Sequence, residues 1–310
     1  MHQMCWDRKL LENAQGRTAL VTGSARGIGA ETASLLNKHG CNVIITDLPS
    51  TVSHAQELIL SMRFPERAIF VPASVTDWEQ LLNSFKQGIR AFGRIDIVVA
   101  NAGIMESRAV LEVETDVNGE PIASREGFSV LDVNLKGTMN TLQLGLHFLR
   151  QNSLSEHDSH CGSIVLITST SGYFGFSGNA AYVASKHGIL GLFRASQPLA
   201  EKTRIRVNAI APSFTPTRIT AGFGDRFEKA GVASNTTEQA AEAIAFAALD
   251  PSCSGTCCLV AGEFVRELEH TREQVLSNWL GQDLLDALSG FRVIVEDMGG
   301  YPLPPAASQT

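Results

Sequence analysis

At 310 residues, 44% hydrophobic and 18% charged, with 27 glycines and 11 prolines, the chain has the composition of a folded globular protein rather than a disordered one. That length suits one large α/β domain or two small ones. A formal net charge of -7 offers no basic surface to a phosphate backbone, which argues against nucleic acid as a partner.

The opening MHQMCWDRKLLENAQG is charged within its first dozen residues and lacks the apolar core of a signal peptide. No later stretch approaches the ~18 apolar residues of a membrane span, so the expectation is a cytoplasmic protein with no membrane partner. The six cysteines, Cys5, Cys41, Cys161, Cys253, Cys257 and Cys258, show neither C-x-x-C spacing nor the density of a disulfide scaffold. They are expected to be plain thiols, with no metal site. The sequon at Asn235 is inert in that compartment.

In chain order, RTALVTG (17–23) is a short apolar run and GIGAETASLLNKHG (27–40) has helical spacing closed by a glycine. The beat repeats as strand 41–47, helix 51–62, strand 68–73, helix 77–93 and strand 95–103. The second half predicts a long helix over 125–151, strand 162–169, helix 180–202, strand 204–212, helix 236–249 and strand 256–262. Runs such as VIIT and IVVA lack alternation, as expected of parallel strands covered by helices on both faces. The fold class is therefore α/β, a single Rossmann-type doubly wound sheet of about seven parallel strands. Residues 1–262 form this domain and 263–310 a helical extension packed on it, covering either the active site or a subunit edge. The segment 106–124, with a turn at Asn118-Gly119, stands outside the beat.

TGSARGIG (22–29) joins the first strand to the first helix, where backbone N–H groups and the helix dipole meet a pyrophosphate. Gly23 permits a tight turn, Gly27 removes bulk and Gly29 allows close packing. Asp47 ends the second strand, eighteen residues after Gly29, where a carboxylate accepts hydrogen bonds from a ribose diol and repels a 2'-phosphate. Arg26 is the opposing signal, since a guanidinium pairs with that phosphate. Direct contact favours Asp47, and the cofactor expected is NAD.

With ANAG (100–103), VNLKG (133–137), SIVLITSTSG, YVASK (182–186) and RVNAIAPSFTPT (206–217) in this order, the chain resembles the short-chain dehydrogenase/reductase family over residues 16–262. The resemblance implies that Asn101, Ala102 and Gly103 line the adenosine ribose, and that Pro212, Thr217 and the backbone near Phe214 hold the nicotinamide carboxamide. It adds Ser24, Ile28, Leu48, Val75, Thr168 and Thr215 to the cofactor contacts. Three positions depart from the family pattern: Ala100 for a second asparagine, Ser74 for an aspartate beside the adenine, and Ser213 for a glycine. Ser74 still offers the adenine a hydrogen bond, without charge assistance.

Alcohol oxidation removes the hydroxyl proton as hydride leaves, and ketone reduction returns it. Tyrosine, with an unperturbed pKa of about 10, needs positive charge nearby to serve. Tyr182 has Lys186 one helical turn away; Tyr173 has Ser177 at the same spacing, in a glycine-rich turn. Tyr182 is therefore the acid/base and Lys186 its partner. The family spacing of thirteen residues before the tyrosine selects Ser169 to polarise the substrate oxygen. By the same likeness Asn134 completes the tetrad, holding a water that links the lysine to solvent.

The segment 213–235 falls where the family places its substrate lid. Phe214, Ile219 and Phe223, with Phe174 and Phe176, suggest an apolar pocket for a hydrophobic secondary alcohol or ketone, with Arg218 as the one basic exception. VLDVNLKGT, YVASKHGILGLFR and REQVLSNWLG are most similar to prostaglandin-dehydrogenase-like members of fungal secondary metabolism. The helices at 125–151 and 180–202 form the family's usual interface, which implies a homodimer or homotetramer. Two alternatives stay open: a ketoreductase using NADH or NADPH, and a dinucleotide-sensing protein without turnover.

Overall fold

Strands that read as unbroken apolar runs are covered on both faces. The computed structural model describes residue 4 and residues 6–154, 159–175, 178–221, 224–231, 234–298 and 300–301. The first half runs β1 (Thr18–Thr22), α1 (Gly27–Lys38), β2 (Asn42–Asp47), α2 (Val52–Ser61), β3 (Ala68–Pro72), α3 (Trp78–Phe92) and β4 (Ile97–Ala100). A short hairpin of β5 (Glu114–Thr115) and β6 (Pro121–Ile122) follows, turning at the expected Asn118-Gly119. Then come α4 (Arg125–Leu131), α5 (Gly137–Leu149), β7 (Gly162–Ile167), α6 (Ala180–Lys202), β8 (Ile205–Pro212), α7 (Gly224–Lys229), α8 (Thr237–Leu249), β9 (Cys257–Ala261) and β10 (Phe264–Glu267).

The main sheet has the order β10-β9-β8-β7-β4-β1-β2-β3. Seven strands are parallel, as the alternation of elements implies, and the eighth, β10, pairs antiparallel with β9. The extra strand comes from a two-residue turn at Gly262-Glu263, with Gly262 at φ 62. Residues 264–267 thus belong to the sheet, and the chain divides after Glu267 rather than after Gly262. The unit Leu268–Thr310 carries α9 (Glu269–Gln274), α10 (Leu276–Leu280) and α11 (Gln282–Asp297).

Side chains along each strand alternate between two cores. Ala19, Val21, Val43, Ile45, Ile97, Val99, Val165 and Ile210 join α1, α2 and α8 on one face. Leu20, Ile44, Val98, Ile164, Leu166, Val207 and Ala209 join α3, α5 and α6 on the other. The N-terminal segment adds to the first core, Trp6 stacking on Phe246 with ring centroids 5.1 Å apart. Five described cysteines are buried thiols, burial pushing Cys253 up to about 11. No helix among the described residues is long and apolar enough to cross a membrane.

The expected long helix over 125–151 is interrupted by a π turn at Asp132–Lys136, where an extra residue is taken up between α4 and α5. From β1 the chain winds one way through β2 and β3, and from β4 the other way through β7, β8 and β9. The crevice between β1 and β4 is thus the switch point, the place where open parallel sheets bind ligands at their carboxyl edge.

Candidate active site

The glycine loop lies at that switch point. Gly23, at φ 64, has no room for a side chain: a Cβ would stand 2.7 Å from the Cα of Ala102. On Gly29 a Cβ would meet the Gly23 carbonyl oxygen and, at 2.5 Å, Asn101 Nδ2. These glycines let the loop after β4 press against the loop after β1. Asn101 fastens the two, its amide donating to the carbonyls of Thr22 (2.9 Å) and Gly23 (3.0 Å).

Gly27, at φ 60, differs, because a Cβ there would find nothing nearer than Thr217 Cγ2 at 3.7 Å. Arg26, exposed at the N-cap of α1, places no side-chain cap on the helix. The first turn of α1, uncapped by a side chain and with Gly27 beside Thr217, offers its N–H groups in a setting that fits an anionic pyrophosphate. Asp47 stands at the end of β2, its carboxylate accepting the N–H of Ala25 (2.9 Å) and of Leu48 (2.8 Å). Its remaining lone pairs suit a ribose diol. The residues present thus fit a dinucleotide.

Several side chains named as cofactor contacts turn inward instead. Ser24 is fully buried, its hydroxyl donating to Val21 O at 2.6 Å. Val75 packs in the second core against Gly137. Ile28 is partly buried against the first core. Thr168 donates to the carbonyl of Lys186 at 3.0 Å, and Thr215 to that of Ser213 at 3.1 Å. In each case a polar or apolar demand of the fold claims the side chain. Leu48 is exposed, and Ser74 hydrogen bonds Thr76 at 2.8 Å.

The four residues of the expected tetrad meet where β7 ends. Ser169 follows β7, its hydroxyl near Pro212 O (3.4 Å) at the end of β8. Tyr182 and Lys186 share a face of α6, Lys186 Nζ lying 5.4 Å from the Tyr182 ring centroid. Asn134, in the π turn, is fully buried with both amide N–H groups in use: it accepts the N–H of Ile104 (2.8 Å) and donates to Ile104 O (2.9 Å) and Ser185 Oγ (3.0 Å). A Cβ on Gly103 would lie 3.4 Å from Asn134 Oδ1 and 3.8 Å from Lys186 Nζ, so the three border one space. Tyr173, the rejected tyrosine, follows the turn Thr170–Gly172.

Burial opposes the lowering of the phenol expected from Lys186. Burial raises the Tyr182 pKa; the Ser169 hydroxyl opposes this and the charge of Glu106 adds to it. Lys186 is itself buried, which lowers it to about 8, and its ammonium donates to Ile167 O at 2.8 Å. Desolvation outweighs the sequence spacing because the same burial penalises both charged forms.

Sequence reasoning missed Glu106, Ser185 and Asn235. Buried Glu106 accepts the N–H groups of Ala181 (2.8 Å) and Tyr182 (3.1 Å). Ser185 donates to Tyr182 O at 2.7 Å. Asn235 binds Thr215 Oγ1, Val260 O and the N–H of Gly262, pinning the loop after β8 to β9. The sequon asparagine is thus 1% exposed with its amide in use. No local signal marks any of the three.

On the lid side, Phe214 stacks on Phe227 of α7 with centroids 4.5 Å apart. Phe174 and Ile219 are exposed apolar side chains on the segments after β7 and β8, and Arg218 is exposed too. Phe176 and Phe223 lie outside the described residues. At the opposite strand edge a cleft is lined by Arg206, whose guanidinium is bonded to the carbonyls of Ala247, Ala248 and Cys253. That arginine holds the fold together there.

The family model described as short chain dehydrogenase matches residues 17–226. A cis-4-hydroxycyclohexanecarboxylate dehydrogenase of Sinomonas cyclohexanicum is 34% identical, over 76% of this chain and 90% of its own. The short-chain dehydrogenase/reductase ascJ of Acremonium egyptiacum is 32% identical, covering 84% and 83%. The 15-hydroxyprostaglandin dehydrogenase [NAD(+)] of Rattus norvegicus is 31% identical, covering 77% and 84%. The matched region spans the switch-point loop and the edge where Ser169, Tyr182 and Lys186 meet, and with it the chain belongs to the short-chain dehydrogenase/reductase family of oxidoreductases.

Proposed function

We propose that the protein interconverts a hydrophobic secondary alcohol and its ketone with NAD, using Tyr182 as general acid and base. The observation that carries this reading is the meeting of Ser169, Tyr182 and Lys186 at one strand edge, with Lys186 Nζ 5.4 Å from the phenol ring centre. A nicotinamide held by the residues of the β1–α1 and β8 loops would supply the hydride acceptor and, when oxidised, a positive charge. Ser169 donates to the reacting oxygen and fixes its place. Tyr182 takes the hydroxyl proton in oxidation and returns it in reduction. Lys186 favours phenolate while charged, and the space bordered by Gly103, Asn134 and Lys186 suits a proton relay.

Asp47 beside the glycine loop supports NAD, as does the likeness to a dehydrogenase named for NAD(+). Gly23, Gly27, Gly29, Asn101, Ala102, Gly103, Pro212 and Thr217 complete the cofactor side. Exposed Phe174 and Ile219 support an apolar substrate, of terpenoid or polyketide type in secondary metabolism. The protein acts in the cytoplasm as a homodimer or homotetramer joined through α4, α5 and α6, which expose Phe128, Met139 and Leu199. A second reading, reduction with NADPH, is favoured by exposed Arg26 at the start of α1.

The test is a screen of cyclic and long-chain secondary alcohols with NAD+ and with NADP+, following absorbance of the reduced cofactor. Turnover with NAD+ that Tyr182→Phe lowers by about 100-fold or more supports the reading. Binding of NADH with no turnover of any alcohol or ketone points to a sensor instead.

A further inference from the structure

We propose that Glu106 is a positioning residue for Tyr182: its carboxylate clasps the first turn of α6 and places a negative charge beside the proton-transfer group. This rests on the reading of Tyr182 as acid/base. A helix start buried in a protein needs acceptors for its orphan N–H groups, and the N-cap Asn179 provides no side-chain cap. Glu106, in the segment after β4 and 6% exposed, fills that need from 75 residues away: Oε1 accepts the N–H of Ala181 at 2.8 Å, and Oε2 that of Tyr182 at 3.1 Å. A buried carboxylate is costly without compensation, and here the backbone N–H groups and the positive end of the α6 dipole supply it.

Tyr182 is consequently held through both of its backbone groups, at N–H by Glu106 and at C=O by Ser185 Oγ. The same short segment is bound to Asn134 through both backbone groups of Ile104, and Asn134 is bound to Ser185. The loop that packs on the glycine turn therefore carries, three residues beyond Gly103, the clasp on the acid/base helix.

Other charges around the phenol are few. Lys186 lies on its own helix, and Ser169 from the β7 end is neutral. In the elements packed against α6, Asp132 and Lys136 of the π turn and Arg125 of α4 are exposed. Glu126 of α4 is bonded to Ser107 and Arg108, and His147 of α5 stands beside Phe148 and Arg150. Glu106 is the charge that raises the phenol's proton affinity, second to burial among the raising causes.

The test compares wild type, Glu106→Gln and Glu106→Asp. The first readout is the pH dependence of kcat for oxidation of the faster of cyclohexanol and menthol at saturating NAD+. The second, independent of turnover, is a phenolate absorbance titration with the Tyr182→Phe signal subtracted. Glu106→Gln keeps one acceptor and loses the charge, so the acidic limb and the Tyr182 phenolate signal both move to lower pH, by about half a unit or more. Glu106→Asp keeps the charge on a shorter stem, so its limb stays at the wild-type pH while kcat falls several-fold at unchanged KM for NAD+.

A Glu106→Gln protein whose limb and titration superimpose on wild type overturns the proposal, as does a Glu106→Asp protein with unchanged kcat. Should Glu106→Gln not fold, the Asp variant decides by its kcat. Wild-type turnover in Tyr182→Phe would instead overturn the acid/base reading itself, which separates the two failures.

Discussion

Lys186 Nζ donates to the carbonyl of Ile167 at 2.8 Å while lying 5.4 Å from the centre of the Tyr182 ring. One ammonium is thus tied to the end of β7 and placed against the phenol at once. Its burial lowers the lysine from its ordinary 10.5 to about 8, so the folded protein binds fewer protons than the unfolded chain between those values. The contribution of Lys186 to stability therefore rises with pH from about 8 to about 10.5, by about 3 kcal/mol, and the cost of its buried charge is fully present below that window. Because the buried thiols, raised by burial, act in the opposite sense, the check is the difference: the stability of wild type relative to Lys186→Met, from denaturant melts, will rise across this range. Turnover of Lys186→Met at neutral pH falls by about 100-fold.

Asp47 accepts N–H groups from Ala25, in the glycine loop before α1, and from Leu48. Replacing it with alanine removes both the charge-assisted acceptor for a ribose diol and the repulsion of a 2'-phosphate. The ratio of kcat/KM for NAD+ over NADP+ is expected to fall about 10- to 100-fold, the value of one or two hydrogen bonds to a charged group. Steady-state kinetics with both cofactors measure it; an unchanged ratio assigns Asp47 to the loop alone.

Asn235 joins Thr215, Val260 and Gly262 from a position 1% exposed. Asn235→Asp turns a donor into a buried charge facing a carbonyl. Stability is expected to drop by about 2–4 kcal/mol, with a raised KM for NAD+ because the loop carrying Thr215 and Thr217 loses its anchor. Thermal melts and cofactor titration check the two effects together.

Phe128 is 62% exposed on α4. If α4, α5 and α6 join copies of the chain, Phe128→Glu will shift the mass measured by light scattering toward that of the monomer, with secondary structure retained by circular dichroism. An unchanged mass places the interface elsewhere.

Much of the site can be read from short-range pattern. The β1–loop–α1 unit, Asp47 at the end of β2 and the Tyr182–Lys186 spacing depend on residues a few positions apart, and strand and helix periodicity carries such relations directly. The seven parallel strands follow in the same way, since each apolar run must be covered by its flanking helices. The antiparallel β10 was not legible, because FVRE is short and half exposed and its pairing depends on the turn at Gly262.

The remaining features depend on which distant segments the fold brings together. A buried N–H or hydroxyl must find a partner, and the sequence around it does not name that partner. Glu106 reaches Ala181 and Tyr182, Asn134 reaches Ile104, and Thr168 turns from the crevice to Lys186 O. The spacing of Lys186 from Tyr182 marks the pair proposed for proton transfer. The proton affinity of that pair is a matter of burial and, for the phenol, of the Glu106 charge in the segment after β4, because desolvation and charge–charge interactions follow distance in space rather than position along the chain.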